Sequence, residues 1–169
     1  MGKNPTGYSP AQVALHWIVV VLVAFQFLAH DGMEASWRAF LRSEPPPADA
    51  AVLTYLHIAV GSLVFFLALM RIYLRATRGA PPAPTDEPRL LHLLSEAVHG
   101  SIYLLLLSLP ASGAVAWFLG VELSSDVHEL LQNVLLGAIA LHVAGALFQH
   151  FVRRSTVLMR MFRPSIDEG

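Results

Sequence analysis

A helix that crosses the roughly 30 Å hydrocarbon core of a bilayer needs about 20 apolar residues, and four stretches of this chain meet that length. They are "AQVALHWIVVVLVAFQFLA" (11–29), "AVLTYLHIAVGSLVFFLALMRIYL" (51–74), "LSEAVHGSIYLLLLSLPASGAVAWFL" (94–119) and "DVHELLQNVLLGAIALHVAGALFQHF" (126–151). The whole chain is 55% hydrophobic and 14% charged, a balance that excludes an ordinary soluble domain. The expected fold class is an all-α membrane protein, a four-transmembrane-helix bundle forming one domain over residues 1–169. No nucleic-acid partner is expected; the lipid bilayer is the first partner.

Between the first two spans lies a polar stretch ending in "EPPPADA", and between the second and third lies "RATRGAPPAPTDEPR". Proline runs cannot continue a helix, so both read as loops. The third and fourth spans are joined by the short "GVELSSD" and should be antiparallel neighbours. In a four-span topology Lys3, Arg71, Arg75, Arg78, Arg89, Arg153, Arg154, Arg160 and Arg163 fall on one side, against Arg38 and Arg42 on the other. The positive-inside rule then places both termini in the cytoplasm. The alternative, that the first span is a cleaved signal peptide, sits badly with its long apolar run and its single preceding Lys.

The chain has no cysteine, which removes disulfides, zinc–thiolate sites, iron–sulfur clusters and covalent c-type haem. Any metal centre must rest on His, Met or carboxylates. Ionisable groups inside a span are costly and invite a functional reading; here they are mostly His, with Gln26, Glu96, Glu129, Gln132 and Asn133 beside them. His128 and His142 are fourteen residues apart, about 21 Å along a helix axis. Two heptads return a residue to the same core-facing position. One helix therefore offers two imidazoles at two depths. His57, about two turns into an inward-running helix, is level with His128; His16, about two turns into an outward-running one, is nearer the level of His142. Two opposed pairs at two depths are what two six-coordinate haems stacked in a bundle require, and with no Cys these would be b-type.

His99, on the same half of the third span, competes with His16 as partner of His142; its other roles would be a hydrogen bond to a haem propionate or a place in a quinone pocket. Gly61 and Gly145 lie on the faces of His57 and His142, where they would admit a flat porphyrin or simply allow close helix packing. His30, His92 and His150 sit at span ends, Met70, Met159 and Met161 read as apolar filler, and Trp17, Trp37 and Trp117 as an interfacial aromatic belt. Arg71 is placed to neutralise haem propionates. Pro110 should kink the third span and widen a pocket.

Taken together, "ALHW", "HIAVG" followed by "LMRIYLR", "HGSIYLLLLSLPASG", the "HE" and "LH" fourteen residues apart, and the tail "STVLMRMF" resemble the bacterial cytochrome b561 family from about Tyr8 to Pro164. The resemblance implies a multi-pass protein of the bacterial inner membrane with two b haems on His16, His57, His128 and His142, passing electrons between an outer donor and membrane quinone, ubiquinone as the expected substrate. One member type oxidises periplasmic superoxide. Clustered positive charge would steer that anion; the outer loops here offer only Arg38 and Arg42, beside acidic Glu122 and Asp126. The expected function is a transmembrane electron wire, with His99, Glu96 or a propionate relaying protons to quinone. The alternatives are a cytochrome b subunit anchoring a dehydrogenase or hydrogenase, with a catalytic partner subunit, and a carrier using the same histidines for metal or protons.

Overall fold

The computed structural model describes residues 7–84 and 86–165. Within them the chain is helical, in the order α1 (Pro10–Leu28), α2 (His30–Leu41), α3 (Ala48–Arg78), α4 (Arg89–Leu119), α5 (Glu122–Phe151) and a short 3-10 helix (Leu158–Met161). Helices α1, α3, α4 and α5 are each long and apolar enough to cross a membrane. Their boundaries follow local chemistry. At the start of α1, the Ser9 side chain accepts from Gln12 N–H while the Gln12 side chain answers the Ser9 N–H, with Pro10 next in line. Gly79 and Gly120, with φ of 79° and 67°, end α3 and α4 in backbone conformations that L side chains rarely adopt. Pro110 lies inside α4, which continues through it to Leu119.

Two expectations are corrected. The stretch between the first two spans contains a 12-residue helix, α2, where a loop is expected. Its buried face is Gly32, Ser36 and Ala39, one small residue per turn, laid against the start of α3. There Thr54 and Ser36 hydroxyls lie 2.7 Å apart, both buried. A β-carbon on Gly32 would come within 2.7 Å of Leu53 Cβ, so only glycine permits this approach. The spans are also longer than their apolar cores: α3 runs on to Arg78, α4 begins at Arg89 and α5 at Glu122. Arg78, Arg89 and Glu122 at these ends are exposed, so their charges need no partner inside the bundle.

In sequence order the spans pack α1 on α3, α3 on α4 and, most extensively, α4 on α5, as the short connection requires. The common core is thin: Val19, Val64, Ala68, Leu105, Leu106 and Leu135. Many large apolar side chains face outward instead, Phe66 at 65% and Phe151 at 70% exposure among them, as lipid-facing surfaces do. The bundle thus has an α2 end and a tail end. At the tail end Ser165 N–H donates to the Tyr8 carbonyl, Gln12 to that of Gly79, and Arg160 to that of Pro82. Arg153 pairs with Asp86 at 2.9 Å.

Candidate functional site

All six residues expected at the site lie in two clusters, one toward each end of the bundle. Toward the α2 end, His57 of α3 faces His128 of α5 with ring centroids 6.3 Å apart. His128 Nδ1 lies 2.9 Å from the Leu109 carbonyl oxygen and 3.2 Å from Ser112 Oγ. A carbonyl only accepts, so Nδ1 carries the hydrogen and Nε2 keeps its lone pair. His57 Nδ1 is buried with no hydrogen-bond partner among the described residues, and so is Gln26 Oε1, while Gln26 Nε2 donates to the His57 carbonyl at 3.0 Å. These groups open on a cleft of about 430 Å³, which reaches Trp37 and Trp117 and is rimmed by Glu34, Arg38, Asp126 and Glu129.

Toward the tail end, His16 of α1 faces His142 of α5, again with centroids 6.3 Å apart. His99 of α4 lies against the same His142, at 4.9 Å. Both contenders for the partnership therefore touch His142. Their hydrogen bonds separate them. His99 Nδ1 is 2.6 Å from the Ser95 carbonyl, which fixes its hydrogen there. His16 Nδ1 is 3.0 Å from Arg71 Nη1, and because a guanidinium only donates, that nitrogen is the acceptor. Arg71 also lies over the Tyr103 ring, 5.8 Å from its centroid, and Arg75 holds Glu96 at 2.9 Å. The remaining free space is only about 70 Å³, bordered by Tyr8 and Met161. Burial pushes the Tyr8 phenol above its ordinary value, so it remains a protonated donor at neutral pH.

The residues expected to be bystanders divide. His92 lies 3.7 Å from Glu87, and Gln149 also reaches that carboxylate. His150 is at the end of α5, its Nδ1 buried. His30 instead lines the α2-end cleft. Trp37, Phe40 and Trp117 form one aromatic cluster there, with centroids 5.2 to 6.4 Å apart, and Trp17 at the other end donates to the Met161 carbonyl at 2.8 Å. Gly61 makes room for Gln26: a β-carbon there would lie 2.8 Å from Gln26 Nε2. Beside Gly145, among the described residues, nothing lies within 4 Å of where a β-carbon would stand. Sequence reasoning missed Leu109, Ser112 and Gly113; the only signal was their place in "SLPASG", just around Pro110.

The sequence profile of the family described as prokaryotic cytochrome b561 matches residues 7–164. The chain is similar to cytochrome b562 of Cereibacter sphaeroides, at 34% identity over 97% of this chain and 99% of that one. It is also similar to the probable superoxide oxidase CybB of Yersinia pestis, at 27% identity over 91% of this chain and 94% of that one. A third relative is cytochrome b561 homolog 1 of Escherichia coli, at 25% identity over 91% and 96% of the two chains. A four-span helical chain with paired imidazoles inside its bundle, matched over nearly its whole length, belongs to the prokaryotic cytochrome b561 family and is a haem-b electron-transfer protein of a bacterial membrane.

Proposed function

We propose that the chain binds two b haems, one between His57 and His128 and one between His16 and His142, and carries electrons from a periplasmic one-electron donor to ubiquinone in the inner membrane. The observation that carries this reading is the ring separation. Imidazole nitrogens about 2 Å from a shared metal, plus about 1 Å to each ring centre, put two opposed centroids about 6 Å apart; both pairs stand at 6.3 Å. At the α2 end the cleft of about 430 Å³ leaves room for a prosthetic group, and His128 presents an unprotonated Nε2 to it. At the tail end the donor rings match but Arg71 occupies His16 Nδ1. Haem binding there requires the side chains around the free space of about 70 Å³ to part and Arg71 to take another acceptor, a propionate carboxylate being the chemically natural one.

Held by two imidazoles at each pair, haem would supply a one-electron carrier rather than an oxygen-binding group. The chain's own part is to hold the imidazoles opposed, to exclude water from the middle of the bundle and to provide positive charge at the tail end. Arg71, Arg75, Arg78 and the arginines from Arg153 onward cluster there, which under the positive-inside rule is the cytoplasmic face. His99, Tyr8 and Glu96 lie around that pair as proton-handling groups for ubiquinone reduction.

The α2 end carries Asp31, Glu34, Glu44, Asp49, Glu122, Asp126 and Glu129 against Arg38 and Arg42, seven carboxylates to two guanidinium groups. Both arginines are already engaged: Arg38 lies 3.6 Å from Glu34 and Arg42 3.2 Å from Glu44. This surface repels an anion, so a neutral or cationic donor suits it better than superoxide. The test is a reduced-minus-oxidised spectrum with haem counting. His57→Ala and His142→Ala should each lose one of two haems and His99→Ala neither; a colourless protein, or a wild type with one haem, refutes the reading.

A further inference from the structure

His57 and His128 are matched in spacing but not in surroundings. The His128 Nδ1–H points at the Leu109 carbonyl, 2.9 Å away. The Ser112 hydroxyl donates to the same carbonyl at 2.9 Å, which commits its hydrogen and leaves its lone pairs facing His128 Nδ1 at 3.2 Å. The Ser112 carbonyl in turn accepts from Ser124 Oγ at 2.8 Å, tying this turn of α4 to the first turn of α5. Gly113 completes the seat. A β-carbon there would lie 3.1 Å from His128 Cε1 and 3.2 Å from Nδ1, tighter than ordinary contact, so the imidazole rests directly on the helix backbone. Nothing comparable surrounds His57, whose Nδ1 is buried and without a partner among the described residues.

A ligating histidine whose second nitrogen donates to a strong acceptor is held in one tautomer and one plane, and becomes the more basic ligand. Resting on the assignment of His57 and His128 as one axial pair, we infer that the Leu109–Gly113 turn positions His128, makes it the stronger donor of that pair, and so lowers the reduction potential of the haem held there. Ser112 and Gly113 are positioning residues in this scheme; they act through His128 and touch no reacting atom.

The experiment uses the haem-loaded protein purified in detergent, with equilibrium redox titration and low-temperature electron paramagnetic resonance. Ser112→Ala removes one acceptor of the Nδ1–H. It should keep haem content and shift one haem three- to tenfold toward the reduced form, about 28 to 59 mV upward for one electron. Ser112→Thr keeps the hydroxyl and should restore the wild-type potential. Gly113→Ala should turn the ring and move the low-spin g values of that same haem. Unchanged potentials and g values in Ser112→Ala and Gly113→Ala, while His128→Ala still loses one haem, overturn the positioning role alone. Retention of both haems by His128→Ala overturns the axial pairing and this inference with it.

Discussion

The charge on the α2 end makes a quantitative prediction about the donor. Glu34, Asp126 and Glu129 rim the cleft that leads to His57 and His128. Changing them together (Glu34→Gln, Asp126→Asn, Glu129→Gln) removes three negative charges from the approach path and frees Arg38 from its nearest carboxylate. For a monovalent ion about 10 Å from these groups, three charges in water are worth about 1.2 kcal/mol before screening. With a Debye length of about 30 Å at 10 mM salt and about 8 Å at 150 mM, some 0.9 and 0.4 kcal/mol survive. The triple variant should therefore react with superoxide about four to five times faster at 10 mM salt and about twofold faster at 150 mM. A cationic reductant such as reduced methyl viologen should slow by similar factors. Stopped-flow reduction of the haem bands, run with both reductants at both salt concentrations, measures all four rates. If the wild type is already faster with superoxide at low salt than at high salt, or if the variant leaves both reductants unaffected, the field at this end is not what selects the donor.

Other outcomes follow from single contacts. Arg71→Gln removes a fixed positive charge beside His16 and should lower the potential of the tail-end haem by the order of tenfold in its reduction equilibrium, about 59 mV, with Arg71→Lys close to wild type; a potentiometric titration decides it. Gly32→Val forces a side chain into Leu53 and should cost about 1–3 kcal/mol in denaturant unfolding, with loss of the α2-end haem preceding that of the other. Trp17→Phe deletes the hydrogen bond to Met161 and should loosen the 3-10 segment by about 1 kcal/mol, read as faster proteolysis after Arg160.

The spans and the four facing histidines were legible in the sequence because both depend on rare events. Twenty apolar residues in a row seldom occur outside a membrane, and an imidazole placed fourteen residues from another on one helix is easily followed by depth. Helix α2 was not legible, because its packing face is Gly32, Ser36 and Ala39, too small to register as an apolar stripe. The seat of His128 was hidden for a different reason. Its main acceptor is the Leu109 carbonyl, and a backbone oxygen has no letter in the sequence. Gly61, by its spacing to His57, reads as room for either a flat porphyrin or close helix packing; the atom that meets it belongs to Gln26, on another helix, which is the packing role.

The seam between α2 and α3 has a mechanical consequence. Thr54, clasped by Ser36, stands three residues before His57, less than one turn away on the same helix. A push delivered to α2 from outside is handed straight to the backbone that carries an imidazole. On the reading proposed above, a donor that docked against α2 would load the same turn of α3 that carries His57.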